Sequence, residues 1–290
     1  MYLIVGAHGF LGSYLIREIQ KRSEEKIVAV SRRVPHASDG NVSWIRCDIG
    51  RESELFSLKQ QVEGRDLKVI FLAAYHNPDL ILRNPNIAWR INVTALAMFL
   101  EIFDAFEAFY YASTEVVYGD GGSDALAEHS PRRPVSRYGQ LKALAEDIVL
   151  AAGGNVVRFP VLMGPSLLSD KKHFYDHIVD TLKAGKPIEM FSDQRRSILD
   201  FGTAASCLLD LVDNKDARKE RLVNISGDEP LSKYDVGLCI AEKYALDTSL
   251  VVPAVMEASG VFTEHRAKET ILDNSLLKRI LNRETVTMVI

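Results

Sequence analysis

The sequence predicts an α/β fold in which a doubly wound parallel sheet is joined to a smaller lobe. Three observations predict it. Short apolar runs alternate with longer stretches of helical period as far as Pro160. The first run leads directly into Gly6-x-x-Gly9-x-x-Gly12 and then into an amphipathic stretch. Beyond Pro160 the alternation loosens, as it does when a chain leaves a sheet for a second packing unit.

Taken in order, Tyr2–Val5, Lys26–Val30, Val42–Arg46, Lys68–Leu72, Ala108–Ala112 and Asn155–Arg158 read as strands. They are short, β-branched or aromatic, and apolar on both faces, which suits strands covered on both sides. Between them, Phe10–Arg22, Glu52–Val62, Pro85–Phe106 and Tyr138–Ala152 carry apolar residues at helical spacing. Within Asn92–Phe106, the residues Val93, Leu96, Phe99, Leu100, Phe103 and Phe106 form a face broad enough for core alone, or for core plus a contact with a second copy. Asp120–Pro134 is polar and rich in Gly and Pro, so it reads as a loop between Thr114 and Tyr138. In the second half, Met163–Ser166 reads as a turn and Arg221–Ile225 as a strand. Lys171–Ala184, Gly202–Val212 and Lys233–Tyr244 read as helices.

Composition excludes several classes. The chain has 290 residues, 47% hydrophobic and 26% charged, enough for a sizeable core. A net charge of -4 with no dense basic block argues against nucleic acid. Cys47, Cys207 and Cys239 are odd in number and scattered, the pattern of reduced thiols rather than a disulfide frame. No stretch approaches the roughly 18 apolar residues of a membrane span, and the N-terminus has no basic leader. A cytoplasmic protein is expected, with no membrane partner. His173-x-x-x-His177 lacks the intervening Glu and a third ligand, so no metal site is expected. Neither His8, inside the glycine turn, nor His76, after the fourth strand, is assigned a catalytic role.

The glycine turn has a mechanical meaning. Gly6 permits a tight turn off the strand, Gly9 allows a pyrophosphate to approach, and Gly12 permits close helix packing. The free N–H groups at the helix start, around Phe10 and Leu11, then face the phosphate with the positive end of the dipole. The second strand runs out into Ser31-Arg32-Arg33 where an acid would accept hydrogen bonds from the ribose of NAD. A hydroxyl and two guanidiniums suit a 2′-phosphate instead, so NADP(H) is expected, with NAD(H) the alternative.

Tyr138 and Lys142 stand one helical turn apart and face the same way. An unperturbed tyrosine titrates near pKa ~10. A neighbouring ammonium is expected to bring it nearer to neutrality, where proton exchange is efficient. Thr114, at the end of a mid-chain strand, completes a set able to act on one carbonyl oxygen.

This order of glycine turn, strand-end hydroxyl and Tyr-x-x-x-Lys resembles the extended short-chain dehydrogenase/reductase family, through most of the chain. The resemblance implies a Rossmann-type sheet and hydride chemistry on a nicotinamide cofactor. It implies that Asp48 and Ile49 lie beside the adenine, and that Leu72, Ala73 and Ala74 lie along the cofactor. Lys142 would also hold the nicotinamide ribose, and Tyr138 would move the proton. The resemblance further implies a discontinuous second half. Residues 1–165, with about 196–227, would form the cofactor domain, and 166–195 with 228–290 the substrate lobe. It also favours a homodimer.

Within the family, the nucleotide-sugar branch is the nearest likeness. Arg266-Ala267-Lys268-Glu269-Thr270-Ile271-Leu272-Asp273-Asn274 is similar to a run found in dTDP-4-dehydrorhamnose reductases. There, Arg196 and Arg266 would meet a substrate diphosphate. Dehydratases of the branch carry two acids after the threonine; here Glu115 holds the first place and Val116 the second, so water elimination is disfavoured. Glu115 is then a substrate contact or proton relay, or simply a polar residue at the strand exit. Val161 and Met163 stand where many relatives have Asn and Tyr, which leaves the substrate open. A nucleotide-sugar 4-keto-reductase is the first expectation. A 4-epimerase with tightly held NAD, or a non-catalytic regulatory protein of this fold, are the alternatives.

Overall fold

The computed structural model describes residues 1–34, 40–63, 66–122, 124–256, 260 and 262–289, so position 123 in the predicted loop and parts of the predicted lobe fall outside it. The first half is built of β1 (Tyr2–Val5), α1 (Phe10–Arg22), β2 (Ile27–Ser31), β3 (Val42–Arg46), α2 (Glu52–Val62) and β4 (Lys68–Phe71). It continues through α3 (Pro78–Arg83), α4 (Pro85–Trp89), α5 (Ala95–Ile102), β5 (Ala108–Thr114), α6 (Arg137–Ala151) and β6 (Asn155–Phe159). The second half runs β7 (Leu162–Met163), α7 (Phe174–Lys183), β8 (Ile188–Phe191), β9 (Arg195–Arg196), β10 (Leu199–Asp200) and α8 (Phe201–Asp213). It ends with β11 (Leu222–Asn224), β12 (Leu231–Ser232), α9 (Lys233–Lys243), β13 (Val251–Ala254), β14 (Glu269–Thr270) and α10 (Ser275–Leu281).

Seven strands form one parallel sheet in the order β11-β6-β5-β4-β1-β2-β3. Strand order reverses between β1 and β4, which opens a crevice at their carboxyl ends where ligands bind in such sheets. One face is covered by α1, α8 and α10 through Leu15, Ile19, Leu208, Leu211 and Leu277. The other is covered by α2, α5 and α6 through Leu55, Leu58, Leu96, Phe99 and Val149. A separate cluster joins Tyr175, Ile178 and Leu182 of α7 to Val236 and Ile240 of α9, over the parallel pair β8 and β13. Among the described residues no helix is long and apolar enough to cross a membrane.

The helix expected over Pro85–Phe106 is present without a break as α4, a π-helical turn at Arg90–Thr94 and α5, and it stops at Ile102. Asn84 and Pro85 separate it from α3, which the periodicity did not reveal because it is only six residues long. Val93, Leu96, Phe99 and Phe103 are all buried within the chain's own core. Leu100 and Phe106 of the same face are half-buried against that core, and Ile87 and Trp89 of α4 are exposed.

Candidate active site

The crevice begins at the glycine turn. Gly6 has φ +92°, and a Cβ there would lie 2.7 Å from the Ala73 nitrogen at the end of β4. A Cβ on Gly12 would lie 2.4 Å from the Ala7 carbonyl oxygen. These two glycines let β1, β4 and α1 converge. Gly9 caps α1 without a side-chain acceptor, so the first-turn N–H groups of Phe10, Leu11 and Gly12 face outward for an anion. The turn thus fits a dinucleotide pyrophosphate. Gly12→Ala is expected to push α1 off β1, lowering stability by about 1–3 kcal/mol and weakening cofactor binding in calorimetry.

The residues expected on the adenosine side lie at and after the ends of β2 and β3. Arg32 and Arg33 are exposed and Ser31 is half-buried. The Ser31 hydroxyl accepts a hydrogen bond from the Arg33 N–H at 3.4 Å. Asp48 accepts from the Gly50 N–H at 3.0 Å, and Ile49 is buried beside it. Leu72, Ala73 and Ala74 are half-buried after β4. The next residue is pinned by Asn92, which sequence reasoning missed. Asn92 accepts from the Tyr75 N–H at 2.7 Å and donates to its carbonyl at 2.9 Å. An amide between Ile91 and Val93, on the apolar stretch of the helix, was the available signal.

Thr114 ends β5, and its Oγ1 accepts from the Val116 N–H at 3.4 Å. Ser136 caps α6 by accepting from the Gly139 N–H at 3.1 Å. A Cβ on Gly139 would lie 2.7 Å from the Val116 carbonyl oxygen, so α6 starts hard against the turn after Thr114. That contact brings Tyr138 and Lys142 alongside the strand end. Among the described residues the Tyr138 hydroxyl has no hydrogen-bond partner, and burial pushes its pKa up. Burial pushes Lys142 down, to about 7, with the Glu146 carboxylate opposing. The Lys142 ammonium donates to the Ala112 carbonyl and lies 3.9 Å from the Tyr111 ring centroid. The expected lowering of the Tyr138 pKa is therefore corrected: desolvation of the buried phenol raises it.

Behind this set is a network the sequence reading also missed. Glu146, one turn beyond Lys142, is fully buried. It accepts from Ser113 Oγ, from Arg158 Nε at 2.9 Å and Nη2 at 2.6 Å, and from Arg132 Nη1 at 3.3 Å. It therefore ties α6 to β5, β6 and the loop before α6.

The predicted substrate residues divide. Glu115 is 2% exposed and pairs with Arg196 at 3.1 Å, while among the described residues its other oxygen has no hydrogen-bond partner. Burial raises its pKa to about 7 despite that guanidinium. Arg196 also donates to the carbonyls of Arg195, Ala267 and Lys268. The guanidinium expected on a diphosphate thus meets protein acceptors and the Glu115 carboxylate here. Arg266 is more open. It pairs with Asp79 at 3.1 Å and lies 4.8 Å from the Phe262 ring centroid, and among the described residues one buried Nη has no hydrogen-bond partner. Lys233, which opens α9, lies 5.6 Å from the ring centroids of both Phe174 and Phe191. His173 caps α7, its Nδ1 accepting from the Tyr175 N–H at 3.2 Å.

The model of the NAD dependent epimerase/dehydratase family matches residues 2–226. A probable low-salt glycan biosynthesis reductase of Haloferax volcanii is 27% identical over 262 residues, covering 88% of this chain and 84% of that protein. The β subunit of methionine adenosyltransferase 2 of Xenopus laevis is 26% identical over 273 residues, covering 89% of this chain and 76% of that protein. The structure of a dTDP-4-dehydrorhamnose reductase from Bacillus anthracis in complex with NADP is similar with a TM-score of 0.80 at 18% identity, over 99% of this chain and 94% of that one. That last likeness is one of fold. With the family match spanning glycine turn, Thr114, Tyr138 and Lys142, the chain belongs to the NAD dependent epimerase/dehydratase family and is an NAD(P)-dependent oxidoreductase of the extended short-chain dehydrogenase/reductase type.

Proposed function

We propose that the protein reduces the 4-keto group of a nucleotide-linked deoxysugar, with NADPH as the preferred cofactor. The observation that carries this reading is the state of the two positions after Thr114. Val116 offers no acid, and Glu115 is buried against Arg196, so neither residue is free to serve water elimination. What remains open is the Tyr138 hydroxyl, beside Thr114 and Lys142.

When bound, held by the glycine turn and Lys142, the nicotinamide cofactor would supply hydride to the carbonyl carbon. Tyr138 donates its hydroxyl proton to the carbonyl oxygen, and Thr114 Oγ1 hydrogen-bonds to the same oxygen. Lys142 supports both by placing a positive charge behind the phenol and by holding the ribose. In this reading residues 1–165 and about 196–227 bind the cofactor, 166–195 and 228–290 bind the sugar nucleotide, and Arg266 meets its diphosphate. A second copy covers the surface groove of about 410 Å³ lined by Ile81, Trp89, Leu141 and Leu144. The exposed Trp89 and Leu144 support that placement.

The test is to mix the protein with NADPH and a 4-keto-6-deoxy nucleotide-sugar. Stoichiometric loss of nicotinamide absorbance with a reduced sugar is expected. A 4-keto product from nucleotide-activated glucose without net cofactor consumption would indicate a dehydratase, and inversion at C4 an epimerase; either overturns the reading. For the cofactor, calorimetry is expected to show NADPH binding at least about tenfold more tightly than NADH, since each charge-assisted contact contributes roughly 1.5–3 kcal/mol before solvent screening. Equal affinities would remove the case built on Ser31, Arg32 and Arg33. The likeness to the methionine adenosyltransferase β subunit favours one other reading, a regulatory protein. That reading predicts cofactor binding with no turnover on any keto sugar.

A further inference from the structure

The segment from Pro165 to His173 leaves the sheet for the lobe by passing directly over the glycine turn. It is held there at several points. The Tyr14 hydroxyl of α1 donates to the Pro165 carbonyl at 2.8 Å. The Ser166 and His173 N–H groups both donate to Asp176. The His173 ring packs edge-on against Phe10, the first residue of α1, at 4.8 Å and against Phe201 at 5.0 Å.

Two charged residues at the crest of this segment meet the turn itself. The Lys171 ammonium donates to the His8 carbonyl at 2.7 Å and lies 3.5 Å from His8 Nδ1. The Asp170 carboxylate takes the other side of the same ring, 3.4 Å from Nε2. Among the described residues Lys171 pairs with no carboxylate, so its charge is balanced only by a carbonyl dipole and a ring nitrogen. The charge is felt on both walls of the crevice. Burial lowers the pKa of His8 in the glycine turn, the Lys171 charge adds to that, Asp170 opposes it and Arg33 acts in the same sense as Lys171. Burial likewise lowers that of His76 beyond β4, with Lys142 and then Lys171 adding to it. A cation bonded to the backbone of the glycine turn stands over the path of the dinucleotide.

We propose that Lys171 is a ligand for a phosphate group of the bound dinucleotide, supplied by the segment that leads into the substrate lobe. The outward N–H groups of α1 hold that phosphate from one side, and the ammonium holds it from the other. An ammonium has three donors, so Lys171 can keep the His8 carbonyl while donating to an oxyanion. The cofactor then ties the lobe segment to the sheet, and the cleft that receives the sugar is set by cofactor binding. The assignment rests on NAD(P) binding alone and holds for a reductase or an epimerase.

Calorimetric titration of Lys171→Gln with NADPH and with NADH tests it. A loss of about tenfold or more in affinity is expected, as for one charge-assisted contact, with the cofactor-free melting temperature unchanged. Equal losses for both cofactors place Lys171 on the pyrophosphate; a loss confined to NADPH places it on the 2′-phosphate. Lys171→Arg keeps the charge and is expected to retain most of the affinity, and Asp170→Asn is expected not to weaken it. Wild-type affinity of Lys171→Gln for both cofactors overturns the proposal, and so does a Lys171→Arg variant as weak as Lys171→Gln.

Discussion

Lys142→Met is expected to melt at a higher temperature than the wild type while losing both cofactor affinity and turnover. The Lys142 side chain is buried and its pKa stands near 7, well below the ordinary value of 10.5. Holding that ammonium in the folded chain costs on the order of 5 kcal/mol when it is charged, partly offset by the Ala112 carbonyl and the Tyr111 ring. Methionine fills similar space without the charge. The pH dependence has a definite sign. Above pH 10.5 the lysine is neutral folded and unfolded, and no ionisation penalty acts. As pH falls from 10.5 to about 7 the unfolded chain gains the proton and the folded chain does not, so wild-type stability declines. Below 7 both forms are charged and the penalty is constant. The variant's advantage is therefore largest at or below pH 7 and shrinks towards 10.5. Thermal melts across that range would read it; a variant less stable than wild type at pH 7 contradicts the argument. Tyr138→Phe is the contrasting case. It is expected to leave melting and cofactor binding nearly unchanged and to cut turnover by roughly 10²–10⁴-fold, the range for a lost general acid.

Glu146→Ala is expected to be the most damaging single change to the fold. Arg158 is 2% exposed and lies in a two-pronged pair with that carboxylate. Removing the acid leaves a buried guanidinium with its charge uncompensated, a loss of about 3–5 kcal/mol. Ser113 loses its acceptor as well, and it is the residue just before Thr114. The double variant Glu146→Met with Arg158→Met separates the causes. Replacing both members of a buried pair by apolar groups is often neutral, so it is expected to recover most of the stability measured by urea unfolding. Recovery of stability without recovery of turnover would show that the pair also sets the distance between Thr114 and α6.

Periodicity located the sheet and most of its helices because these elements are long, apolar and bounded by polar turns. β1, β3, α1 and α2 lie where the pattern puts them, to the residue. Of the helices before β5, the helix from Pro85 to Ile102 was legible and the six-residue α3 was not. A π-turn shifts the helical phase at Arg90–Thr94, and the spacing of apolar residues cannot announce it. The second-half strands β9, β10, β12 and β14 are two residues long, too short for any period. The glycine turn and the Tyr–Lys pair could be read because their spacing is their mechanism. Arg196 could not, since spacing fixes a position along a strand but not whether the side chain turns towards Glu115 or the cleft. Glu146, Asn92 and Lys171 act through partners distant in sequence, and each looks ordinary where it stands.

The sheet's two faces are completed at very different times during synthesis. α2, α5 and α6 all precede β6, so the face they cover can close as soon as that strand emerges. α1 finds its helix partner α8 only after the chain has passed through α7 and β8, and β11 follows later still. Until then Tyr2, Ile4, Ile27, Ile70 and Tyr110 present an uncovered apolar surface beside α1. A nascent chain halted between Phe159 and Phe201 would therefore expose a half-covered sheet to other chains in the cell, and the interval of translation across that stretch is where this fold is most open to aggregation or chaperone capture.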